Sequence, residues 1–251
     1  MIGRAVANEF AKMRHLHVVP IAIVLVVGVV GLSSIELTSA DFADSVRDPS
    51  GLPWHRLLVG MTFAVPLATP ILLAVLASRQ VDIEHQGNGW LWSHTSGLTP
   101  GYLCRVKFVA TGAVLVAATL VASCLMVAIG RLAGITAAFP AGQWLGYTAS
   151  IVVVNLVLLA LHLLLSAWLE NQLVAMGIGV VGVFLAVVSS GAPPWLAHLS
   201  PWGYYSLAAP VDYRDGGLVS LTPAHLSVVA LGLAGAVVFT IITRRFDRQE
   251  A

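Results

Sequence analysis

Six long apolar runs, separated by shorter polar segments, set the pattern of this chain. They cover residues 18–35, 57–77, 108–129, 144–168, 173–188 and 226–242. A helix needs roughly 20 predominantly apolar residues to cross a bilayer, and each run is close to that length. Pro66 and Pro70 fall inside the second run, so we expect that helix to be kinked or broken there. The pattern predicts an all-α integral membrane protein with six transmembrane helices.

The overall composition supports a membrane protein and argues against a soluble enzyme. Of the 251 residues, 58% are hydrophobic and 10% are charged, and the mean hydropathy is +0.88. Soluble domains carry roughly 25% charged residues. The net charge of +1 provides no basic surface for nucleic acid. We interpret residues 1–251 as one transmembrane domain, with an interfacial helix 1–17, a six-helix bundle 18–243 and a cytoplasmic tail 244–251.

Residues 2–17 precede the first run and predict an amphipathic helix at the membrane interface, with a frayed tail as the alternative. Bulky side chains recur every three or four residues, at Ile2, Val6, Phe10, Met13 and His17. Basic side chains suited to an anionic leaflet are Arg4, Lys12 and Arg14. The leader contains Glu9 and is longer than the usual n-region of a signal peptide, so we expect it to be retained.

The lysines and arginines are distributed unevenly between the two sides of the predicted bundle. Nine share one side, namely Arg4, Lys12, Arg14, Arg79, Arg105, Lys107, Arg244, Arg245 and Arg248. The other side has four, namely Arg47, Arg56, Arg131 and Arg214. Because basic residues concentrate in cytoplasmic loops, we predict that both termini and residues 78–107 face the cytoplasm.

The polar stretch 78–107 interrupts the apolar pattern between the second and third runs. Its charges and turn residues cannot cross a bilayer, because they would be left unsatisfied in hydrocarbon. Residues 90–96 predict a short amphipathic helix, with Gly87 and Gly89 before it and Pro100 after it. Such a helix can present a surface to a soluble partner. The alternative is a solvated loop with interfacial tryptophans.

The fourth run carries polar side chains on one face. Thr148, Asn155 and His162 repeat every seven residues, and Ser166 follows four residues later. Polar groups in a membrane helix usually face other helices or a water-filled path. Hydrogen bonding between helices and lining of a substrate path are both open, and both predict that this face points inward.

Residues 189–221 are rich in aromatic residues and prolines, among them Trp195, Pro201, Trp202, Tyr204 and Tyr205. Interfacial aromatics are one interpretation. The other is a re-entrant segment that closes the outer end of a cavity, since irregular backbone at membrane depth must be buried in protein.

No motif in the sequence predicts catalysis, a cofactor or a metal on this chain. Neither Lys12 nor Lys107 follows a glycine, so a phosphate-binding loop is absent. Cys104 and Cys124 would lie about 30 Å apart in one helix, too far for a disulfide. The eight histidines are scattered and show no spacing typical of metal or haem ligands. A membrane-embedded enzyme and a structural or sensory membrane subunit remain the alternatives to a transporter.

The order of these elements resembles the permease subunit of a type-two ABC exporter. The residues that carry the resemblance follow the second run and open the third, namely Asp82, Glu84, Gly87, Trp90, Leu91, Pro100 and Lys107. Residues 199–205, LSPWGYY, and the break at residues 170–172 are similar to the lantibiotic-immunity branch. The resemblance extends over nearly the whole chain.

The resemblance implies a partner ATPase that holds ATP and magnesium and docks on helix 90–96. The implied coupling residues are Glu84, Gly87, Trp90, Leu91, Trp92 and His94. Glu84 is expected to form a partly exposed ion pair with Arg79, Arg105 or Lys107. The implied outer gate consists of Trp195, Pro201, Trp202, Tyr204 and Tyr205.

The resemblance also implies an assembly and a cargo. A second permease, identical or a sister chain, would complete the pathway in the bacterial plasma membrane. The implied cargo is an amphipathic peptide such as a lantibiotic, or a hydrophobic drug, so that export confers immunity or antibiotic resistance.

Overall fold

The computed structural model describes residues 2–50, 52–87, 89–90, 97–169, 171–214 and 217–249. Within these ranges, six helices are long and apolar enough to cross a membrane, namely Val18–Thr38, Leu52–Gln86, Pro100–Leu132, Ala141–Trp168, Gln172–Ser190 and His225–Arg248. The predicted all-α architecture with six spans is confirmed. We call the end of the bundle that carries residues 78–107 the inner end, and the opposite end the outer end.

The N-terminal residues form the predicted helix, α1 (Ile2–His15), and the first span, α2 (Val18–Ser33), follows after two residues. His17 joins the two helices in the left-handed region, with φ 56° and ψ 34°, a conformation uncommon for residues other than glycine. Met13 and Val18 pack with Leu76 and Ala110 in a small apolar cluster beside this turn. The cluster fixes α1 against the second and third spans.

Short helical turns follow the first span at the outer end. A 3-10 helix (Ser34–Thr38) leads to α3 (Ala40–Ser45). The hydroxyl of Ser39 caps α3 by accepting the backbone N–H of Phe42.

The second span, α4 (Leu52–Gln86), is one continuous helix of 35 residues. Of the predicted kink or break, the break is wrong, because the helix passes through Pro66 and Pro70 without interruption. A helix of this length spans about 52 Å, far more than the hydrocarbon core, so it extends beyond the bilayer. Neighbouring helices surround much of α4, and such packing tolerates the backbone groups that proline leaves free.

Three further spans complete the first part of the bundle, namely α5 (Pro100–Leu132), α6 (Ala141–Trp168) and α7 (Gln172–Ser190). Helices α4 and α6 are the most buried and form its centre. Trp54 of α4 anchors the outer end of this core, and its indole N–H donates to the carbonyl of Ala137 at 3.0 Å. The guanidinium of Arg131 lies 5.1 Å from the same ring.

The segment after α7 folds back into the bundle. It contains α8 (Pro194–Ala197), a 3-10 turn (Pro201–Gly203), α9 (Tyr204–Leu207) and an antiparallel hairpin of β1 (Val211–Arg214) and β2 (Gly217–Ser220). Tyr205 reaches Asn155 in the middle of α6, and Trp202 contacts Gly182 in the middle of α7. The segment therefore enters the helix bundle, as expected for a re-entrant element, whereas the strand pair was not predicted.

The last helix, α10 (His225–Gln249), lies at the edge of the bundle and is the most exposed span. It continues to residue 249, so the first part of the predicted tail is helical. At its inner end, Asp247 accepts from the guanidinium of Arg105 at 2.9 Å and from the backbone N–H of Tyr102 at 3.0 Å. These bonds fix α10 to the start of α5.

Candidate functional site

Four ionisable side chains from three helices meet at the inner end of the bundle. Glu9 and Lys12 lie three residues apart on α1, Glu84 lies near the end of α4, and Lys107 lies near the start of α5. The Lys107 Nζ lies 2.9 Å from Glu9 Oε2 and 2.8 Å from Glu84 Oε1. The Lys12 Nζ lies 2.8 Å from both Glu9 Oε1 and Glu84 Oε1. We call these four residues the charge network.

The charge network is almost fully enclosed and electrically balanced. Lys107 is 0% exposed, Glu9 is 2% exposed and Glu84 is 3% exposed. Two ammonium groups face two carboxylates, which is the arrangement that makes buried charges tolerable. Lys12 connects the network to solvent, with 35% of its side chain exposed. Burial alone would lower the pKa of Lys12, but its hydrogen bonds to Glu84 and Glu9 outweigh this effect and raise it.

Two expectations about these residues need correction. Glu84 pairs with Lys107, one of its three expected partners, but the pair is buried rather than partly exposed. Lys12, which the helical pattern assigned to the membrane surface, turns inward to both carboxylates. Glu9 was not recognised as a site residue. The spacing of Glu9 and Lys12 was the available signal, because residues three apart share a helix face.

The predicted coupling helix is described at Trp90 only, since Leu91, Trp92, Ser93, His94, Thr95 and Ser96 lie outside the described residues. The half-buried Trp90 donates its indole N–H to His85 Nδ1 at 3.4 Å. The other ring nitrogen of His85 lies 3.0 Å from the carbonyl oxygen of Ser166. Gly87, at the end of α4, donates its N–H to the carbonyl of Ile83. Trp90 is thereby linked through His85 to the inner end of α6.

The polar face of α6 is buried at all four predicted positions, which agrees with the inward orientation. The hydroxyls of Thr148 and Ser123 lie 2.8 Å apart. Asn155 accepts from the Tyr205 hydroxyl at 2.7 Å and donates to Thr119 at 3.3 Å. Both residues therefore join α6 to neighbouring elements.

The rest of the α6 face offers little sign of a pathway. The ring of His162 packs edge-on against Trp202, with 6.1 Å between the ring centres. Ser166 is buried near the inner end of the helix. Thr148 and Asn155 border a cavity of about 20 Å³, which is room for about one water molecule. The contacts of Thr148 and Asn155 favour the helix-packing interpretation, whereas the His162 ring nitrogens and the Ser166 hydroxyl have no hydrogen-bond partner among the described residues.

A larger cavity of about 620 Å³ lies at the outer end, between α2, α4, α7 and the hairpin. Its apolar walls include Ile35, Phe63, Pro66, Val187, Leu207 and Leu221. Polar groups on its lining include Glu36, His198, Asp212 and Arg214. The cavity thus combines apolar surface with a few charged groups, as small-molecule and peptide sites do.

The five predicted gate residues do not line this cavity. Trp202 and Tyr205 are buried in the bundle, whereas Trp195 is 66% exposed. Tyr204 packs against His198, with 5.4 Å between the ring centres. The segment that contains Pro201 borders the cavity through Pro194, His198, Ser206 and Leu207 instead. The re-entrant fold was predicted, but the side chains that face the cavity were not.

Tyr213 ties the hairpin to the outer ends of the first two spans. Its hydroxyl donates to Glu36 Oε2 at 3.0 Å and accepts from Arg56 Nη1 at 3.1 Å. Arg56 also approaches Asp41 Oδ2 at 3.5 Å. Partial burial, together with the neighbouring Glu36 carboxylate, raises the pKa of the Tyr213 hydroxyl. We call Tyr213, Glu36, Arg56 and Asp41 the outer cluster.

A second pocket, of about 460 Å³, lies at the inner end between α4 and α7. It is lined by Leu16, Val75, Ser78, Arg79, Asp82, Ile83, Gln86, Gln172 and Met176. Between the two pockets, α4 and α7 touch closely at Gly179, where an added Cβ would lie 2.6 Å from Ala74 Cβ and 3.0 Å from the Pro70 carbonyl oxygen. One helix pair therefore lines a pocket at each end, and its close packing at Gly179 lies between the two pockets.

Comparison with known protein families gives a match over most of the chain. A family model described as ABC-2 family transporter protein matches residues 5–186. The matched region includes the charge network, the inner pocket and the first five spans except the last turn of α7. No curated protein matches the chain.

Proposed function

The chain belongs to the ABC-2 family of transporter proteins, and from this premise we propose that it exports amphipathic peptides, lantibiotics among them, or hydrophobic drugs. As a permease subunit of an ABC transporter, it pairs with an ABC ATPase. ATP and magnesium belong to that ATPase, and the permease supplies the pathway and the docking surface.

One observation carries the proposal: α4 and α7 line a pocket at each end of the bundle and meet tightly between them. Transporters open a site alternately to the two sides of a membrane by moving packed helices against one another. Separation of α4 and α7 at Gly179 would connect the two pockets. In this proposal, the closed contact is the resting barrier and its rearrangement is the transport step.

The lining of the outer cavity supports an amphipathic cargo. Its apolar walls suit hydrocarbon or aromatic groups, and Glu36 and Asp212 can face cationic groups. The similarity of residues 199–205 to the lantibiotic-immunity branch points to the same class of molecule. Amphipathic molecules therefore suit this surface better than sugars or inorganic ions do.

The direction of transport and the topology follow from the same proposal. The ATPase docks from the cytoplasm on residues 90–96, and both termini lie on that side. The excess of lysine and arginine at the inner end supports this orientation. A second permease, either another copy or a sister chain, completes the pathway.

Reconstitution with the partner ATPase tests the proposal. The chain would be purified with the ATPase that accompanies it in its native host and inserted into sealed vesicles. We expect ATP-dependent movement of a lantibiotic peptide or a hydrophobic dye away from the ATPase side. Vesicles with an ATPase inactivated in its catalytic carboxylate are the control. Absence of a co-purifying ATPase, or equal movement in both preparations, would contradict the proposal.

A further inference from the structure

Helix α1 lies outside the six spans, yet it contributes half of the charge network. Its two charges make separate contacts with two spans: Glu9 reaches Lys107 of α5, and Lys12 reaches Glu84 of α4. Two of the four short contacts therefore cross between α1 and the bundle. Displacement of α1 alone would break both contacts together in an enclosed site, where charge–charge contacts are stronger than in water.

The same helix is joined to the first span by two residues. Only Leu16 and His17 separate α1 from α2, and Leu16 packs against the apolar cluster that also holds Met13 and Val18. Because these two residues are few and Leu16 is packed, the connection has little conformational freedom. A displacement of α1 is therefore transmitted to α2. At its other end, α2 and the following turn contribute Leu32, Ile35 and Glu36 to the outer cavity.

We propose that Glu9, Lys12 and Lys107 are positioning residues for energy coupling, which make α1 move with the inner ends of α4 and α5. Movement at the inner end of α4 then passes through Glu84 to α1, and from α1 through α2 to the outer cavity. This inference rests on the proposed function. It assigns α1 a mechanical role that is separate from anchoring at the membrane surface.

The role of α1 can be tested with a double substitution that keeps the buried site electrically neutral. The double substitution Glu9→Gln with Lys12→Gln removes both charges of α1 and leaves Glu84 paired with Lys107. The buried site thus stays neutral, and the inner ends of α4 and α5 keep their own ion pair. The matched control is Arg4→Gln with Arg14→Gln, which also removes two charges from α1, both of them exposed and outside the network.

The readout needs no identified cargo. Ile35 lines the outer cavity, and Ile35→Cys in a Cys124→Ser background provides a thiol there, while the native Cys104 is buried. Maleimide labelling would be timed without nucleotide and after trapping of the partner ATPase with ATP and vanadate. In this parent protein we expect the two labelling rates to differ by about fivefold or more, the lower end of common coupling between sites.

The Glu9→Gln, Lys12→Gln variant should lose most of this nucleotide-dependent difference and still co-purify with the ATPase. Lys12→Arg, which keeps the charge, should retain the difference, as should the Arg4→Gln, Arg14→Gln control. An unchanged nucleotide response in the first variant would overturn the inference. Loss of ATPase binding or of thermal stability in that variant would also overturn it, because the network would then be a folding element.

Failure of the proposed function gives a different result. In that case the parent protein itself shows no co-purifying ATPase and no change in labelling with nucleotide. The parent protein therefore tests the proposed function, and the Glu9→Gln, Lys12→Gln variant tests the role of the charge network.

Discussion

The charge network and the outer cluster are two polar regions at opposite ends of α4, and they differ in how far they exclude water. At the inner end, Glu84 lies in a balanced group of four charges, three of which are almost fully buried. At the outer end, Arg56 contacts Tyr213 and Asp41, and the Asp41 side chain is 75% exposed. Both regions connect α4 to a neighbouring element, but the inner one is much less exposed to solvent.

This difference in exposure predicts that removal of a charged side chain will destabilise the two regions to different extents. In an enclosed group, removal of one charge leaves its partner uncompensated at high cost. In an exposed group, water replaces the lost partner and the cost is small. We therefore expect the inner end to behave as one rigid unit and the outer cluster to open readily. Such a contrast suits a transporter whose inner end receives a signal and whose outer end releases cargo.

The largest expected effect comes from Lys107→Met at the inner end. Two buried carboxylates would then share one half-exposed lysine, and breaking a buried pair costs about 3–5 kcal/mol. Thermal unfolding of the detergent-purified protein, followed by tryptophan fluorescence, measures the loss. The matched control is Arg214→Met, which removes an exposed arginine 3.8 Å from Asp212 and should cost about 0–1 kcal/mol. Equal losses in the two variants would contradict the contrast between the regions.

The next largest effect concerns the contact that lies between the two pockets. Gly179→Leu places side-chain atoms against Ala74 and Pro70, and overpacking of this kind costs about 1–3 kcal/mol. We expect loss of transport together with lower stability, because α4 and α7 can no longer close. Gly177→Leu is the control, since no atom lies within 4 Å of an added Cβ there. If both variants transport equally well, α4 and α7 do not form the barrier.

A third effect tests the link that joins the re-entrant segment to the bundle. Asn155→Leu leaves the buried Tyr205 hydroxyl without its acceptor, and an unsatisfied buried group costs about 1–3 kcal/mol. Adding Tyr205→Phe removes the stranded hydroxyl, so the double variant should lose less than the sum of the single losses. Thermal unfolding of the three variants measures this coupling. Strictly additive losses would mean that the two side chains act independently.

The smallest effect is expected in the outer cluster. Tyr213→Phe removes the hydroxyl that contacts Glu36 and Arg56, yet partial exposure limits the cost to about 0–1 kcal/mol. Hydrogen exchange of residues 211–220 should nevertheless become faster, because the hairpin loses its bond to the first two spans. Val219→Thr, on the neighbouring strand, provides a control that leaves the cluster intact. A loss of stability as large as that of Lys107→Met would contradict the proposed difference between the two ends.

Sequence reasoning recognised some site residues and missed others for identifiable reasons. The period of seven on α6 correctly placed Thr148 and Asn155 inward, since helical periodicity defines a face. It did not reveal that Tyr205 would reach Asn155, because fifty residues separate the two along the chain. Likewise, Glu84 was recognised near the coupling segment, whereas its connection to Glu9 through Lys107 depends on the packing of α1.

The sequence by itself determined the fold class and the number of spans. Runs of apolar residues long enough to cross a bilayer require helices, because backbone groups in hydrocarbon must be bonded within the segment. Rules based on single residues, such as the helix-breaking effect of proline, were less reliable where neighbouring helices pack against the segment. Pro66 and Pro70 predicted a kink or a break in α4, yet α4 is one continuous helix among its neighbours.

Only the tertiary structure decided which side chains meet. The charge network joins α1 to α4 and α5 through pairs that are 72 and 98 positions apart. The two pockets lie between α4 and α7, which are separated by two other spans. Charge and hydropathy describe each residue singly, whereas burial and pairing depend on how the helices pack. For this reason the sequence predicts a six-span membrane protein, and the packing of α1, α4, α5 and α7 provides the candidate coupling site and the proposed pathway.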